Sequence, residues 1–303
     1  MSNLNQAANP GDSARGDVLD GFSRYLLSVL PQKEGQALQQ TLIAAMSSGV
    51  LPFGKMLRAG MMLRACEACG VSAEHAYPFA AALELIHAYS LVHDDLGCMD
   101  DADTRRGRPA VHKVFGEAMG VLAGDGLLTL AFHVAATSTL QGNVAVRCIR
   151  ELANAAGWEG MVGGQSVDVE SEQNGKALSF EELLSMYAMK TGALIAAAIR
   201  VGFLIGGASD EVLQAAAVYG EAIGVGYQIQ DDILDVIGDP SVMGKPVGAD
   251  ARNQKRTAPC FLSLESCRDL LDEHLERALT AATVLPDAAA FEQLARTALF
   301  RER

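Results

Sequence analysis

The sequence predicts an all-α, single-domain helical bundle, and two observations support this. The 303 residues are rich in Ala, Leu, Glu and Gly and contain only nine Pro, a composition that favours helix. Apolar residues recur with helical spacing, and runs of Val, Ile and Thr with strand-like spacing do not occur. Half of the residues are hydrophobic, which is enough to bury one large core.

Helical patterns follow one another with short breaks after residue 16. We expect residues 1–16, rich in Asn, Gly, Ala and Ser, to be disordered, and residues 17–303 to form the domain. The predicted helices cover residues 17–30, 33–48, 55–69, 75–95, 110–138, 143–156, 158–173, 180–207 and 209–237, and two more follow residue 260. Residues 238–256 contain Gly, Pro and four basic residues, which predicts a lid over an anion.

Charge and cysteine usage limit the classes of function. The formal net charge of −13 predicts a surface that repels nucleic acid, so no nucleic-acid partner is expected. The six cysteines are scattered, and the N-terminus lacks a basic-then-apolar signal pattern, which together predict a cytoplasmic protein. The longest apolar stretch, residues 192–208, is interrupted by Arg200 and predicts a buried helix, so we expect no membrane span.

A first cluster of acidic residues lies in the sequence HDDLGCMDDADTRRGRP, residues 93–109. Five carboxylates occupy ten positions: Asp94, Asp95, Asp100, Asp101 and Asp103. In an unbroken helix Asp94 and Asp100 would lie about 240° apart around the axis. We therefore expect the chain to turn after Asp95, with Gly97 as the break, so that both carboxylates can reach one ion.

A second acidic cluster lies in GYQIQDDILDVIGD, residues 226–239. Its polar residues fall at i, i+3, i+4 and i+7, which predicts one helical face: Gln228, Asp231, Asp232 and Asp235. Taken alone, this face is equally compatible with solvated charges. Two such clusters in one chain instead suit magnesium, which prefers a few carboxylates together with water and substrate phosphate oxygens.

Basic residues near both clusters suit phosphate binding. Lys55 and Arg58 share one side of the start of a helix, where free backbone amides also favour anions. His87 lies two turns before Asp94 on the same face. Lys190 interrupts an apolar stretch and needs an anionic partner. Each residue alone would be read as an ordinary surface charge or a structural histidine.

In order along the chain, these motifs resemble the trans-isoprenyl diphosphate synthase (polyprenyl synthetase) family, particularly its bacterial farnesyl diphosphate synthases. The motifs are GKMLR at 54–58, HAYSLVHDD at 87–95, the first acidic cluster, GGQSVD at 163–168, KTGALI at 190–195, GYQIQDDILD at 226–235 and GKPVGAD at 244–250. The resemblance covers nearly the whole chain after residue 16. It implies a helical bundle with a central cavity and the two acidic clusters facing each other at its mouth.

The resemblance also implies a role for each matching residue. Isopentenyl diphosphate would bind to Lys55, Arg58, His87 and Arg106. The allylic diphosphate would bind to Arg105, Lys190, Thr191, Gln228, Lys245 and Lys255. Magnesium, three ions per active site, would bind to Asp94, Asp95, Asp100, Asp231 and Asp235. The residues expected to act in catalysis are Asp94, Asp95, Asp100, Arg105, Lys190, Asp231, Asp232 and Lys245. Gln165 and Asp168 would line the cavity nearby.

The expected reaction is ionisation of the allylic diphosphate, condensation with isopentenyl diphosphate and loss of a proton, giving farnesyl diphosphate. Tyr89, five residues before Asp94, resembles the aromatic floor of the elongation pocket, with Ser90 beside it. A C15 product is therefore predicted, and a C20 geranylgeranyl product is the alternative. A homodimer is expected, through apolar helices such as 118–135 or 192–208.

The sequence departs from the usual family pattern at three places, and three alternative functions are also considered. Gly97 stands where the family usually has Pro, FGKMLRA replaces the more common GGKRLRP, and NQKRTAPC replaces a GKATYP-like segment. A terpene cyclase would carry an Asn/Ser/Glu-type second motif and would not need Lys55, Arg58 and His87. A non-catalytic partner subunit would be expected to lose an acidic cluster or the lid lysines. An acidic scaffold would not explain the interleaved basic residues.

Overall fold

The computed structural model describes residues 10–32, 38–173, 178–237 and 256–300. Thirteen α-helices lie in these ranges. They are α1 Pro10–Val29, α2 Gln40–Val50, α3 Leu57–Ala68, α4 Tyr77–Asp94, α5 Val111–Phe115, α6 Glu117–Ala136, α7 Gly142–Ala156, α8 Met161–Gln173, α9 Phe180–Tyr187, α10 Ala193–Ile205, α11 Asp210–Ile237, α12 Leu264–Ala282 and α13 Ala288–Leu299. The sheet described in them is one antiparallel hairpin, β1 Thr104–Arg105 with β2 Arg108–Pro109.

The predicted all-α fold is confirmed, and the helix boundaries differ from the prediction at three places. The predicted helix 110–138 is divided at Gly116, whose φ of 87° a right-handed helix does not allow. The predicted helix 180–207 contains a π-turn, Ala188–Gly192, between α9 and α10. At the N-terminus, α1 begins at Pro10, inside the segment 1–16 that the composition predicts to be disordered. Pro suits a first helical turn because the N–H that it lacks has no intrahelical partner there.

The core is built around α4, α10 and α11. Helix α4 packs against α3 and α6, α10 packs against α3, α7 and α11, and α11 packs against α12. Small residues let these backbones approach closely. A Cβ atom on Gly224 would meet the Cα atom of Gly192, and one on Gly220 would meet Ala196. The π-turn and the start of α10 are therefore held against α11 by backbone contact.

Two helical stretches are long and apolar enough to cross a membrane by length and composition, Glu117–Ala136 and Phe180–Ile205. The second is 67% buried inside the fold, so it is the buried core helix that the sequence predicts for residues 192–208. The first is 39% buried, and Val121 and Leu122 on it are 42% and 50% exposed. Helix α6 therefore presents an apolar face that the described part of the chain does not cover.

Candidate active site

A cavity of about 560 Å³ opens between α4, α8, the π-turn and α11. Nine of the residues predicted for substrate, metal, catalysis or chain length line it: Arg58, His87, Tyr89, Ser90, Asp94, Lys190, Thr191, Gln228 and Asp231. Gln165 lines it as well. Sequence reasoning did not identify the apolar residues of the α8 wall, which are Met161, Val162 and Val169. The cavity thus joins polar groups from both acidic motifs with an apolar compartment.

The first acidic cluster turns where the sequence predicts. Helix α4 ends at Asp94, and the N–H of Asp100 donates to the Asp94 carbonyl at 2.9 Å. This closes the loop and brings Asp100 back to the end of the helix. Burial raises the pKa of Asp94 to about 6, and the nearby carboxylates of Asp100 and Asp95 add to this, whereas Lys190 and Arg105 oppose it.

The next carboxylate, Asp95, is 2% exposed and lies outside the cavity wall. Arg105 donates to its Oδ1 from both Nε and Nη2, at 3.0 and 2.5 Å. Although burial opposes the charge, the hydrogen bond and the charge of Asp95 raise the pKa of Arg105. Asp95, predicted as an assisting metal ligand, therefore holds Arg105 in this structure.

The β1–β2 hairpin places the two arginines that follow the cluster. Its turn residues Arg106 and Gly107 have φ of 51° and 72°, as a two-residue hairpin turn requires. The Arg106 Nη1 donates to the carbonyls of Val50 and Pro52, at 3.1 and 2.9 Å. Arg106 also lies against Gly54, so it borders the loop that carries Lys55. Arg105, Arg106 and Lys55 are not part of the cavity wall.

A buried network surrounds Arg58 at the start of α3. Arg58 Nη1 lies 3.4 Å from Nε2 of His87. Burial, and the charges of Arg58 and Arg106, lower the pKa of His87 well below its usual value, so His87 is neutral at pH 7. Glu84 lies one turn before His87, and its Oε1 accepts from the N–H of Ala59 at 3.2 Å. Burial raises the pKa of Glu84, and the charge of Arg58 opposes this.

Glu84 was missed in the sequence. Its position three residues before His87 on α4 was the available signal, since residues at i and i+3 share a helical face.

The π-turn presents the other cation. Lys190 Nζ donates to Asp168 Oδ2 of α8 at 2.6 Å, which supplies the anionic partner that a buried lysine needs. Thr191 Oγ1 donates to Gln228 Oε1 of α11 at 3.3 Å. A Cβ atom on Gly164 would collide with the Lys190 backbone, so the GGQ motif allows α8 to approach this turn.

The carboxylates of the second acidic cluster do not share one environment. Asp231 lines the cavity. Asp232, predicted to act in catalysis, is 2% exposed and off the cavity wall, and it accepts hydrogen bonds from Tyr187 and Ala258. The prediction placed it on the same face as Asp231, but consecutive helical residues differ by about 100°, which turns Asp232 toward α9. Asp235 is 4% exposed and also lies off the wall. Lys245 and Lys255 lie outside the described residues.

The carboxylates fit magnesium without forming a closed metal cage. In the described ranges, no three His, Cys, Asp or Glu side chains converge closely enough to hold an ion by themselves. Magnesium keeps water and substrate phosphate oxygens in its shell, so a few carboxylates on two sides of a cavity suffice. Asp94 of α4 and Asp231 of α11 line the same cavity, and burial raises the pKa of Asp94, so a bound cation would stabilise its charged form.

Comparison with known proteins identifies the family. The polyprenyl synthetase family model matches residues 39–292. The chain is 43% identical to the farnesyl diphosphate synthase of Bacillus subtilis (strain 168), covering 80% of this chain and 81% of that protein. It is 41% identical to geranylgeranyl pyrophosphate synthase 12 of Arabidopsis thaliana, covering 84% and 71%.

Solved structures agree with these relatives. An FPP/GFPP synthase from Zymomonas mobilis superimposes with a TM-score of 0.83 at 30% identity, covering 96% of this chain and 98% of that one. A geranyltransferase from Helicobacter pylori, complexed with magnesium and isoprenyl diphosphate, also gives a TM-score of 0.83, at 27% identity and covering 97% and 98%.

Proposed function

This chain belongs to the polyprenyl synthetase family, and we propose that it condenses isopentenyl diphosphate with dimethylallyl or geranyl diphosphate to give farnesyl diphosphate. One observation carries the proposal. A single cavity of about 560 Å³ is lined by Asp94 and Asp231 from the two acidic clusters and by Arg58 and Lys190. Carboxylates for magnesium and separate cations for two diphosphates are the groups that this reaction needs.

The allylic diphosphate half of the site is assigned to the π-turn and α11. Lys190, Thr191 and Gln228 line the cavity there, and Arg105 lies beside it. Lys245 and Lys255 belong to this half by family resemblance. We assign magnesium, three ions per site, to Asp94, Asp95, Asp100, Asp231 and Asp235. When bound, the metal stabilises negative charge on the leaving diphosphate.

The isopentenyl diphosphate half is assigned to the buried network at the start of α3. Arg58 offers a planar guanidinium fork for phosphate, and neutral His87 keeps it oriented. Arg106 and Lys55 border the same region. This second cation site, separate from Lys190, distinguishes a condensing enzyme from a terpene cyclase, which handles one diphosphate.

The apolar α8 wall of the cavity keeps water away from the reacting carbocation. Once the allylic C–O bond ionises, the carbocation must meet the double bond of isopentenyl diphosphate before water does. Met161, Val162 and Val169 of α8 supply a dry surface for the growing chain. The condensed cation then loses a proton to the released diphosphate, so no side-chain base is required.

The product length is assigned to C15, with Tyr89 as the floor and Ser90 beside it. The second candidate product is C20 geranylgeranyl diphosphate, which the 41% identity to a geranylgeranyl synthase favours.

Two further assignments concern the oligomeric state and the cellular compartment. The exposed Val121 and Leu122 of α6 support a homodimer through this helix, and six free thiols support a reducing cytoplasm.

The test is incubation of the purified protein with magnesium, isopentenyl diphosphate and dimethylallyl, geranyl or farnesyl diphosphate in turn. Chain length is read after dephosphorylation. A dominant C15 alcohol from the two shorter starters is expected. A C20 product would keep the reaction and correct the length, and no condensation with any starter would contradict the proposal in favour of a cyclase or a partner subunit.

A further inference from the structure

We propose that Asp232 is a positioning residue, which holds the π-turn so that Lys190 and Thr191 face the allylic diphosphate. The proposal rests on the proposed function, because it concerns that substrate. It differs from the role that the sequence motif predicts, in which Asp232 acts directly in catalysis. The difference follows from the contacts of the Asp232 carboxylate.

The Asp232 carboxylate accepts hydrogen bonds from three donors, and the longest comes from Gln228, whose Nε2 donates to Oδ1 at 3.5 Å. The hydroxyl of Tyr187 donates to Oδ2 at 2.5 Å, and the backbone N–H of Ala258 donates to the same oxygen at 2.9 Å. Tyr187 and Asp232 are 4% and 2% exposed, and Ala258 is fully buried. Hydrogen bonds to a buried, charged acceptor are short and strong, and leaving such an acceptor unsatisfied costs more than an ordinary hydrogen bond contributes.

Tyr187 is the residue that matters for the substrate site, because it is the last residue of α9. The π-turn begins at the next residue, and Lys190 follows two positions later. A π-turn carries one residue more per turn than an α-helix, so its side-chain directions depend on where the turn begins and ends. Fixing Tyr187 fixes the start of the turn.

Helix α11 holds the turn at three successive points. Gly224 lies against Gly192 at the end of the turn, and Gln228 accepts from Thr191 at 3.3 Å. Asp232 then accepts from Tyr187 at the start of the turn. Gly224, Gln228 and Asp232 are spaced four residues apart, so they form one stripe along α11. The stripe follows the turn from end to start, and Asp232 is its last contact.

The experiment separates positioning from metal binding by changing the donor and the acceptor independently. Tyr187→Phe removes one hydroxyl and leaves the carboxylate intact. Asp232→Asn keeps an oxygen that can accept, and Asp232→Ala removes it. Tyr219→Phe is the matched control, because the Tyr219 hydroxyl of α11 is equally buried and donates to the Phe291 carbonyl at 2.7 Å, away from the site.

We expect Tyr187→Phe and Asp232→Ala to raise the KM for geranyl diphosphate about tenfold, the size of one hydrogen bond to a charged group. The KM for isopentenyl diphosphate and the half-saturating magnesium concentration should stay within twofold of the wild-type values. Asp232→Asn should retain most of the affinity, and Tyr219→Phe all of it. The Tyr187→Phe and Asp232→Ala double variant should be no worse than Asp232→Ala, because Asp232→Ala already removes the contact that Tyr187→Phe removes.

Either of two kinetic results would overturn the proposal. A tenfold higher magnesium requirement in Asp232→Asn, with Tyr187→Phe unaffected, would make Asp232 a metal ligand. Additive losses in the double variant would show independent roles. If Asp232→Ala does not fold, Tyr187→Phe and Asp232→Asn still decide the question.

A binding measurement by calorimetry tests the positioning role of Asp232 independently of the proposed enzymatic activity. Absence of any condensation by the wild-type protein would contradict the function, whereas binding of inorganic pyrophosphate with magnesium can be titrated without turnover. Tyr187→Phe should raise that Kd about tenfold and Tyr219→Phe should not. Equal values in all proteins would contradict the positioning role.

Discussion

Replacing Tyr89 with Ala is expected to lengthen the main product from C15 to C20 or longer. Tyr89 lies on α4, lines the cavity and is 6% exposed. Its ring packs edge-on against His93, with centroids 5.7 Å apart and an interplanar angle of 79°. Removal of the ring opens the floor toward His93, so a chain that stops at Tyr89 can extend by one isoprenyl unit.

The size of the effect follows from apolar burial. One further isoprenyl unit carries five carbons, and at about 0.8 kcal/mol for each buried carbon it gains about 4 kcal/mol if it finds an apolar pocket. Loss of an aromatic side chain from a closed core costs about 3–5 kcal/mol, and the cost at Tyr89 is smaller because one side of its ring already faces a cavity. The protein should therefore remain folded while its product changes.

The assay is the chain-length analysis with geranyl diphosphate as starter, repeated on Tyr89→Phe. Burial, with a smaller contribution from Asp94, raises the pKa of Tyr89 to about 12, so its hydroxyl is neutral at assay pH. The phenyl ring of the control keeps the floor, and its product should remain C15. If Tyr89→Ala also keeps C15, the floor lies elsewhere and Tyr89 is only a core residue.

Three further changes test other parts of the fold and site. Arg58→Lys should raise the KM for isopentenyl diphosphate at least tenfold and leave that for geranyl diphosphate unchanged in steady-state assays, because an ammonium cannot reproduce the buried guanidinium fork. Gly124→Ala should lower the melting temperature by several degrees in calorimetry, because its Cβ would collide with the His93 ring, at a cost of about 1–3 kcal/mol. Glu151→Gln should cost about 1 kcal/mol in urea unfolding, because it weakens a two-point pair with Arg200 at 2.8 and 2.9 Å that is about one-quarter exposed.

The sequence predicted the features that depend on local spacing. The turn after Asp95 followed from the angle between Asp94 and Asp100, and the structure confirms it with the bond from the Asp100 N–H to the Asp94 carbonyl. The anionic partner of Lys190 followed from the cost of burying a charge, and Asp168 fills that role. Both inferences needed only helical geometry and electrostatics, which the sequence contains.

Features that depend on neighbouring helices could not be predicted. A helical wheel places Asp231 and Asp232 on one broad polar face. It does not show that α9 packs on the edge with Asp232, whereas the edge with Asp231 faces the cavity. Gly116 was likewise read as part of a continuous helix, since a glycine alone does not reveal a φ of 87°. The partner of Glu84, the Ala59 N–H of α3, could not be predicted either, because it is 25 residues away in sequence.

The pairing of cations gives the allylic half of the proposed site a reason to need metal. Lys190 is bound to Asp168, and Arg105 is bound to Asp95, so these cations are already neutralised by protein carboxylates. At the same cavity, burial and the neighbouring Asp100 raise the pKa of Asp94, although Lys190 and Arg105 oppose this. An allylic diphosphate that arrives without metal would therefore be repelled by the carboxylates of the acidic clusters. Magnesium bound with the diphosphate would turn that repulsion into attraction. We therefore expect pyrophosphate to bind at least tenfold more tightly when magnesium is present, and the calorimetric titration measures this directly.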